Sequence, residues 1–283
     1  MKSSITINGE TFTLVKVQRD GESAIYKGTD TFLRLGEKER IVRDLATHKR
    51  MEKALFPVAH LLEEGKYEGY SYYIETSLGV KHYGELFAWD VKKYGCISDE
   101  KFSDFLDTME RFARAQVSTC DELRNEKQFS KSIHMEMLMD ELLTFSTQIQ
   151  ARYTEIMKRL SLFPFCLTHG DCNPHNLYPG GIIDLEVASF GPIGYDLISA
   201  LVTVDYYPTV SGYEFIAGYR FTDKQKQQYL QAMDAVFIES GLPMVSQYLN
   251  DFEFCRAVWL LVRMHQWPKI QKFRYDLFKK KFL

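Results

Sequence analysis

The chain has 283 residues, 45% of them hydrophobic and 26% charged, with a formal net charge of −3. That composition belongs to a folded globular protein long enough for one large or two modest cores, and its near-neutral balance argues against a nucleic-acid or membrane surface. The five cysteines (Cys96, Cys120, Cys166, Cys172, Cys255) are odd in number and scattered without a CxxC pair, which speaks against a disulfide or zinc framework and for reduced thiols in a cytoplasmic protein. The polar, alternating amino terminus MKSSITINGETF is no signal peptide, and the apolar run 257–262 is far too short to span a bilayer.

Up to about Glu75 the sequence alternates like a twisted antiparallel sheet. Ile5 and Ile7 precede Asn8-Gly9, a type I′ hairpin signal, and Phe12, Leu14 and Val17 follow. A second hairpin pairs 24–27 with 31–35 around Gly28-Thr29-Asp30. Residues 37–54 read as a helix with Ile41, Leu45, His48, Met51 and Leu55 on one face, closed by Pro57. Two strands, 60–63 and 70–76, follow, split by Gly65 and Gly69.

From Tyr83 onward the period is helical. Ser98 caps a helix with an apolar face of Phe102, Phe105, Leu106, Met109, Phe112 and Ala113. A long segment, 133–160, carries Leu138, Leu142, Phe145, Ile149, Tyr153 and Ile156, with its methionines as core filler. Thr222 to Gln225 is a capping box opening another helix, and 248–264 is the last helical region. No repeat, low-complexity tract or flexible linker interrupts the chain.

The stretch 165–198 carries the chemistry: His169-Gly170-Asp171, then Asn176, then Asp184 and Glu186, then Tyr195-Asp196-Leu197. Pro179-Gly180-Gly181 supplies a turn that lets Leu177-Tyr178 pair with Ile182-Ile183, bringing Asn176 and Asp184 together with Asp171 upstream. Two carboxylates and an amide suit phosphoryl transfer, in which an acceptor hydroxyl must be aimed and phosphate charge screened. Asp171 can take the hydroxyl's proton or hold it in line, while Asn176 and Asp184 offer the hard oxygens that Mg²⁺ prefers. Cys172, inside this loop, reads as a small loop residue because no base is assigned to it.

These motifs resemble the aminoglycoside phosphotransferase and choline kinase family, whose HGD…N loop matches His169, Gly170, Asp171 and Asn176. The family's metal-binding aspartate matches Asp184, with Glu186 two residues on, and its later YDL matches Tyr195-Asp196-Leu197, whose aspartate braces the catalytic loop. The resemblance implies an α+β, protein-kinase-like two-lobe fold: a small antiparallel-sheet nucleotide-binding lobe with one helix, residues 1–76, and a larger mainly helical catalytic and substrate-binding lobe, residues 77–283. It implies ATP and Mg²⁺, catalytic roles for Asp171, His169 and Asn176, and metal ligation by Asn176, Asp184 and Glu186. The loop Arg19-Asp20-Gly21-Glu22-Ser23 would lie over the nucleotide phosphates, with Gly21 and Ser23 as contacts, and Glu75 to Gly79 would be the hinge holding the adenine, with contacts at Glu75 and Ser77.

The sequence departs from the pattern at one strand. Aminoglycoside-modifying members carry a lysine paired with a helix glutamate, whereas this chain has Phe32-Leu33-Arg34-Leu35, nearer to the arginine of choline-kinase-like members. Arg34 keeps a permanent charge and a bidentate fork for phosphate oxygens. Asp44 is the candidate partner.

The acceptor is a hydroxylated small molecule. Acidic and aromatic residues (Glu186, Asp205, Tyr206, Tyr207, Tyr213, Glu214, Asp251, Glu253, Trp259, Trp267) lean toward a cationic amine such as an aminoglycoside or amino alcohol. Two other readings stand: a catalytically weak, kinase-shaped nucleotide-binding protein, and a transition-metal hydrolase using His169, Asp171, His175 and Asp184.

Overall fold

The computed structural model describes residues 2–18, 21–121 and 123–283. Arg19 and Asp20 of the expected phosphate loop lie outside the described residues. Packing divides the chain into two compact units: Met1–Val80 with Tyr178–Glu186, and Lys81–Leu177 with Val187–Leu283.

In the amino-terminal unit Asn8 and Gly9 take φ of 49° and 86°, as the type I′ turn requires, and join β1 (Ser4–Ile7) to β2 (Glu10–Val17). The sheet continues with β3 (Ser23–Lys27), β4 (Thr31–Gly36), β5 (Leu61–Tyr67) and β6 (Tyr70–Thr76), in the spatial order β1-β2-β3-β4-β6-β5, all antiparallel. Alternate side chains, among them Ile5, Phe12, Tyr26, Leu33, Leu35 and Ile74, form one buried cluster. Helix α1 (Lys38–Lys53) buries Ile41, His48 and Met51 and packs on β4 and β6.

Three expectations for this unit are corrected. Leu55 is not on the buried face of α1: the chain turns left-handed there (φ 62°) and leaves its side chain 83% exposed. Val17 is also exposed, at the end of β2. Gly65 does not split a strand; β5 runs on to Tyr67, because a hydrogen at that Cα makes room for the ring of Tyr72, 2.7 Å from where a Cβ would sit.

The carboxy-terminal unit begins with α2 (Tyr83–Tyr94) and α3 (Asp99–Ser118). Ser98 stands at the N-cap of α3, but its hydroxyl and N–H both donate to the buried carboxylate of Asp90 rather than closing the helix end. The expected helix over 133–160 is broken. Helix α4 (Glu126–Ser132) precedes it, and the segment itself divides into α5 (Met135–Glu141), a 3₁₀ turn, and α6 (Ser146–Arg159). At the start of α6 the Leu143 carbonyl accepts both the hydroxyl and the N–H of Ser146. Met135 and Met157 are core, whereas Met137 faces outward.

Strand β7 (Phe165–Thr168) is followed by the hairpin β8 (Leu177–Tyr178) and β9 (Gly181–Ile182), and then by β10 (Ser189–Pro192), which pairs with β7. Helices α7 (Tyr195–Val202), α8 (Asp223–Glu239), α9 (Leu249–Leu261) and α10 (Pro268–Phe282) complete the unit. The capping box on α8 forms in full, Thr222 accepting from Gln225 N–H and Gln225 accepting in return. Phe87, Phe105, Phe221 and Tyr229 stack where α2, α3 and α8 meet.

Residues 178–186 pack with the amino-terminal unit, although the sequence reading carries them with 77–283. Ile182 N–H donates to the Pro57 carbonyl at 2.7 Å and Gly180 N–H to that of Leu78 at 3.1 Å. At Gly181 (φ 150°) a Cβ would lie 2.0 Å from the Pro57 carbonyl oxygen. Gly181→Ala is therefore expected to destabilise the protein by about 2 kcal/mol or more, through overpacking and backbone strain. Urea unfolding of the two proteins side by side checks this.

Candidate active site

The loop that follows β7 is held from beneath by one carboxylate. Asp196, on the first turn of α7 and fully buried, accepts the N–H groups of His169 (2.6 Å) and Gly170 (3.0 Å) and the side-chain amide of Gln116 (2.8 Å). Burial pushes its pKa up, and His169 with the two loop N–H donors pulls against that. Gly170 has φ 81°, and a Cβ there would lie 2.6 Å from the Val187 carbonyl oxygen, so the loop can pass only as glycine.

Asp171 is fixed at one oxygen. Its Oδ1 accepts from the guanidinium of Arg256 at 2.6 Å and from Asn173 Nδ2 at 2.9 Å, while Oδ2 has a longer contact of 3.3 Å from Asn176 Nδ2. Arg256, on α9, is fully buried; it also donates to Thr203 Oγ1 and to the Gly170 carbonyl, and lies over the Trp259 ring. Burial disfavours the charged guanidinium, yet Asp171 and Tyr195 outweigh that and its pKa is raised. Nothing in the sequence singled Arg256 out. The signal available was a lone arginine within the apolar run 254–262, FCRAVWLLV.

The other loop residues take distinct places. His169 is fully buried, its Nδ1 accepting the Asp171 N–H at 3.1 Å, so its ring braces the loop from inside. Asn176 donates Nδ2 to the Asp171 carbonyl at 2.9 Å, which commits the amide nitrogen inward and leaves the amide oxygen as the atom for a cation. Cys172 is buried with its thiol pKa pushed well up by burial, which removes it as a nucleophile.

In the amino-terminal unit Asp184 has φ 66°, a left-handed conformation costly for a non-glycine residue and characteristic of functional positions. It lines a narrow cavity of about 20 Å³ together with Arg34, Asp44, His48, Tyr73 and Glu75. Burial works against the charge on Arg34, but Tyr73, Glu75 and Asp184 more than offset it and its pKa is raised. The ion pair expected between Arg34 and Asp44 is corrected. Arg34 Nε bonds Glu75 Oε1 on the adjacent strand at 3.3 Å, while Asp44 accepts from Arg40 four residues back at 3.1 Å. Glu75 is held in turn by His48 Nδ1 at 3.3 Å, and His48 Nε2 meets the Ala59 carbonyl at 2.6 Å. Burial raises the pKa of Asp44 while Arg40 and Arg34 lower it. Glu186 pairs with Arg40 through Oε2.

The expected nucleotide contacts are differently disposed. Glu75 lies on β6 between two ladders, opposite Phe32 and Leu61, so its backbone serves the sheet and its side chain serves Arg34. Ser77 N–H donates to the Asp30 carbonyl at 2.9 Å, and its hydroxyl faces Gly79. Gly21 turns at φ 76°, with its N–H on the Gln18 carbonyl. Ser23 is buried at the head of β3 opposite Gly36, away from a loop tip.

The family model for the phosphotransferase enzyme family matches residues 23–235. The chain belongs to the phosphotransferase enzyme family. Its fold is protein-kinase-like. An aminoglycoside phosphotransferase of Streptomyces rimosus, solved with ADP and streptomycin, is 11% identical with a TM-score of 0.52, covering 88% of this chain and 92% of its own. A choline/ethanolamine kinase family protein of Mesorhizobium loti is 13% identical with a TM-score of 0.53, covering 95% and 86%. The comparison with curated proteins returned no significant match.

Within this family the transition-metal reading loses its ligands. His169 Nδ1 is already bonded to the loop, and among the described residues no three His, Cys, Asp or Glu side chains gather around one point. Of the five acids that suggested a cationic acceptor, four are paired within the chain: Glu186 with Arg40, Asp205 with Lys226 and Arg220, Asp251 with Arg159, Glu253 with Lys281 and Tyr206; Glu214 is exposed. Trp259 stacks between Arg256 and Arg263.

Arg256 is the testable joint. Arg256→Met leaves the Asp171 carboxylate without its cation, so a loss of about 3–5 kcal/mol of stability is expected. Arg256→Lys should recover part of that, keeping charge but not the fork. Thermal and urea unfolding of both variants measures it.

Proposed function

We propose that this chain is an ATP- and Mg²⁺-dependent phosphotransferase that phosphorylates a hydroxyl group of a small molecule. The observation that carries the reading is Asp171, a carboxylate with one oxygen locked by a buried guanidinium and the other held only by a 3.3 Å contact from Asn176, on a loop braced by Asp196. The fixed side chain cannot rotate away, so Oδ2 receives the acceptor hydroxyl and aims its oxygen along the line of transfer. Family membership and the ADP bound by the Streptomyces rimosus relative support a nucleotide donor.

The donor set fits a hard cation: the carboxylate of Asp184 and the amide oxygen of Asn176 would hold Mg²⁺, with Glu186 Oε1 as the further oxygen. Mg²⁺, when bound, neutralises charge on the phosphates as the phosphoryl group moves. Arg34 presents the guanidinium nitrogens not used by Glu75 to phosphate oxygens, and the buried His48 ring fills the space beside Glu75 Oε2. The Ala59 carbonyl can only accept, so His48 Nε2 carries a proton and the ring is pinned at that end. His169 and Asp196 act as positioning residues that hold the loop.

Asp171→Asn should leave nucleotide affinity close to that of the parent while turnover falls by roughly two to four orders of magnitude, the range of a positioned acid–base group; because it also removes the counter-charge of buried Arg256, stability is expected to fall and the assay is run well below the variant's Tm. Steady-state kinetics and calorimetric titration with Mg-ATP separate the two quantities. Turnover within threefold of the parent would reject the role, and Mg-nucleotide binding with no turnover on any hydroxyl acceptor would favour a kinase-shaped binding protein.

Glu75→Gln keeps the shape of the strand side chain but removes its charge. An increase of about tenfold in KM for ATP is expected, with kcat at saturating ATP changed far less, since about 1.4 kcal/mol in ground-state binding is a factor of ten. A larger effect from Asp44→Asn would return the partner of Arg34 to the helix.

A further inference from the structure

The carboxy-terminal unit contains a cavity of about 510 Å³, within the size range of small-ligand sites. Its polar wall is built from His82, Glu85 and His175, and its apolar wall from Tyr207, Phe215 and Tyr219. His175 belongs to the loop that carries Asp171, and the loop is docked on the start of α2. Gly84 N–H donates to the Pro174 carbonyl at 2.8 Å, and a Cβ on Gly84 would sit 2.6 Å from the His175 ring. The cavity therefore opens against the same loop that would aim an acceptor hydroxyl.

The opposite wall is a fixed loop. Ala217 N–H closes it on the Pro208 carbonyl at 2.8 Å; Phe215 packs on Trp267 with ring centroids 4.8 Å apart, Tyr213 on Phe273 at 5.8 Å, and Lys269 donates to the Gly212 carbonyl at 3.0 Å. At Gly218 a Cβ would be 2.8 Å from the Ala88 side chain, so the loop lies directly over α2. These contacts hold Phe215 as an aromatic platform against α10.

The charge of the cavity is small. Glu85 is its sole lining carboxylate among the described residues, and it stands 3.7 Å from His82 Nε2. His82 Nδ1 accepts the Glu85 N–H at 3.1 Å, so the ring proton is on Nε2, on the side of the Glu85 carboxylate. The acids of neighbouring helices are held in ion pairs within the chain. A ligand with several ammonium groups would enter with all but one unmatched, at a desolvation cost that aromatic contact does not repay. One carboxylate, imidazole edges and an aromatic platform instead match a ring with hydroxyls on its edge and an apolar face.

We infer that this cavity is the acceptor site, and that it takes an uncharged hydroxylated ring compound with an apolar face, of the kind an aryl glycoside presents, in preference to a polycationic amine. The inference rests on the phosphotransferase reading for its link to catalysis, but not for the chemistry of binding. It is tested with 4-nitrophenyl glucoside, ethanolamine and kanamycin, each by calorimetric titration without nucleotide and by phosphorylation with Mg-ATP. The glucoside is expected to bind and to be phosphorylated with kcat/KM at least about tenfold above kanamycin. Phe215→Ala should weaken its binding about tenfold, the equivalent of about 1.4 kcal/mol, with KM for ATP unchanged. Glucoside binding that Phe215→Ala weakens, without phosphorylation, would uphold the cavity's chemistry and defeat the phosphotransferase reading. Phosphorylation confined to kanamycin or ethanolamine would overturn the inference and leave the kinase standing. So would absence of glucoside binding, or binding indifferent to Phe215→Ala.

Discussion

A carboxylate buried without solvent is tolerated only when donors surround it, and Asp196 is such a carboxylate. Two of its three donors are consecutive backbone N–H groups of the loop after β7, so the cost of desolvating Asp196 is offset only while that loop keeps one shape. The same logic repeats one layer out. Arg256 is fully buried and satisfied by Asp171, Thr203 and the Gly170 carbonyl, so its stability depends on Asp171 staying in place. Burial thus turns two ionic groups into a lock on a surface loop. The fixed position of the Asp171 carboxylate is a by-product of what holds the core of the carboxy-terminal unit together.

In the amino-terminal unit the arrangement follows from the choice of arginine at position 34. A guanidinium is planar and presents its donors as a fork, so its partner must approach in the plane of that fork. Asp44 lines the same cavity but has a short side chain and is drawn by Arg40 on its own helix. Glu75 sits on the neighbouring strand with the reach to meet Arg34 Nε, and α1 contributes instead His48, whose ring buttresses the glutamate. The helix still couples to the cationic strand residue, but through an imidazole and a second strand. Asp184, in its strained left-handed turn, faces the same cavity.

Much of this was legible in the sequence because it rests on local chemistry. Asn8-Gly9 demanded a hairpin, the 3.6-residue period marked α1 and α3, Thr222 to Gln225 marked a helix start, and HGD…N, Asp184 and YDL appear in order because each needs a particular residue type at a short spacing. What was hidden depends on partners distant in the chain. Arg256 and Asp171 are 85 residues apart, and Arg34 and Glu75 are 41 apart, so no pattern within a window could pair them. The break between α5 and α6 escaped for a different reason: the apolar period survives the interruption. Helix α10 was missed because its five lysines mask the buried Ile270, Arg274 and Phe278.

The treatment of acids in the carboxy-terminal unit bears on how selectivity can arise. An overall balance near neutrality conceals strong local pairing, for Asp251 meets Arg159 through two oxygens and Glu253 meets both Lys281 and Tyr206. Carboxylates so engaged can compensate an incoming cation only by giving up a cationic partner they already have. Composition alone therefore misleads about ligand charge: a helical segment rich in acids and aromatics can have none of them to spare. Discrimination among acceptors must then come from the shape of the aromatic wall and from hydrogen bonds to a few fixed groups. Such a site rejects most strongly the ligand that leaves its buried polar groups unpaired. On the proposed phosphotransferase activity, the orientation of a hydroxyl, rather than the charge of the molecule that carries it, is what a fixed Asp171 and the anchored loop over α2 would select.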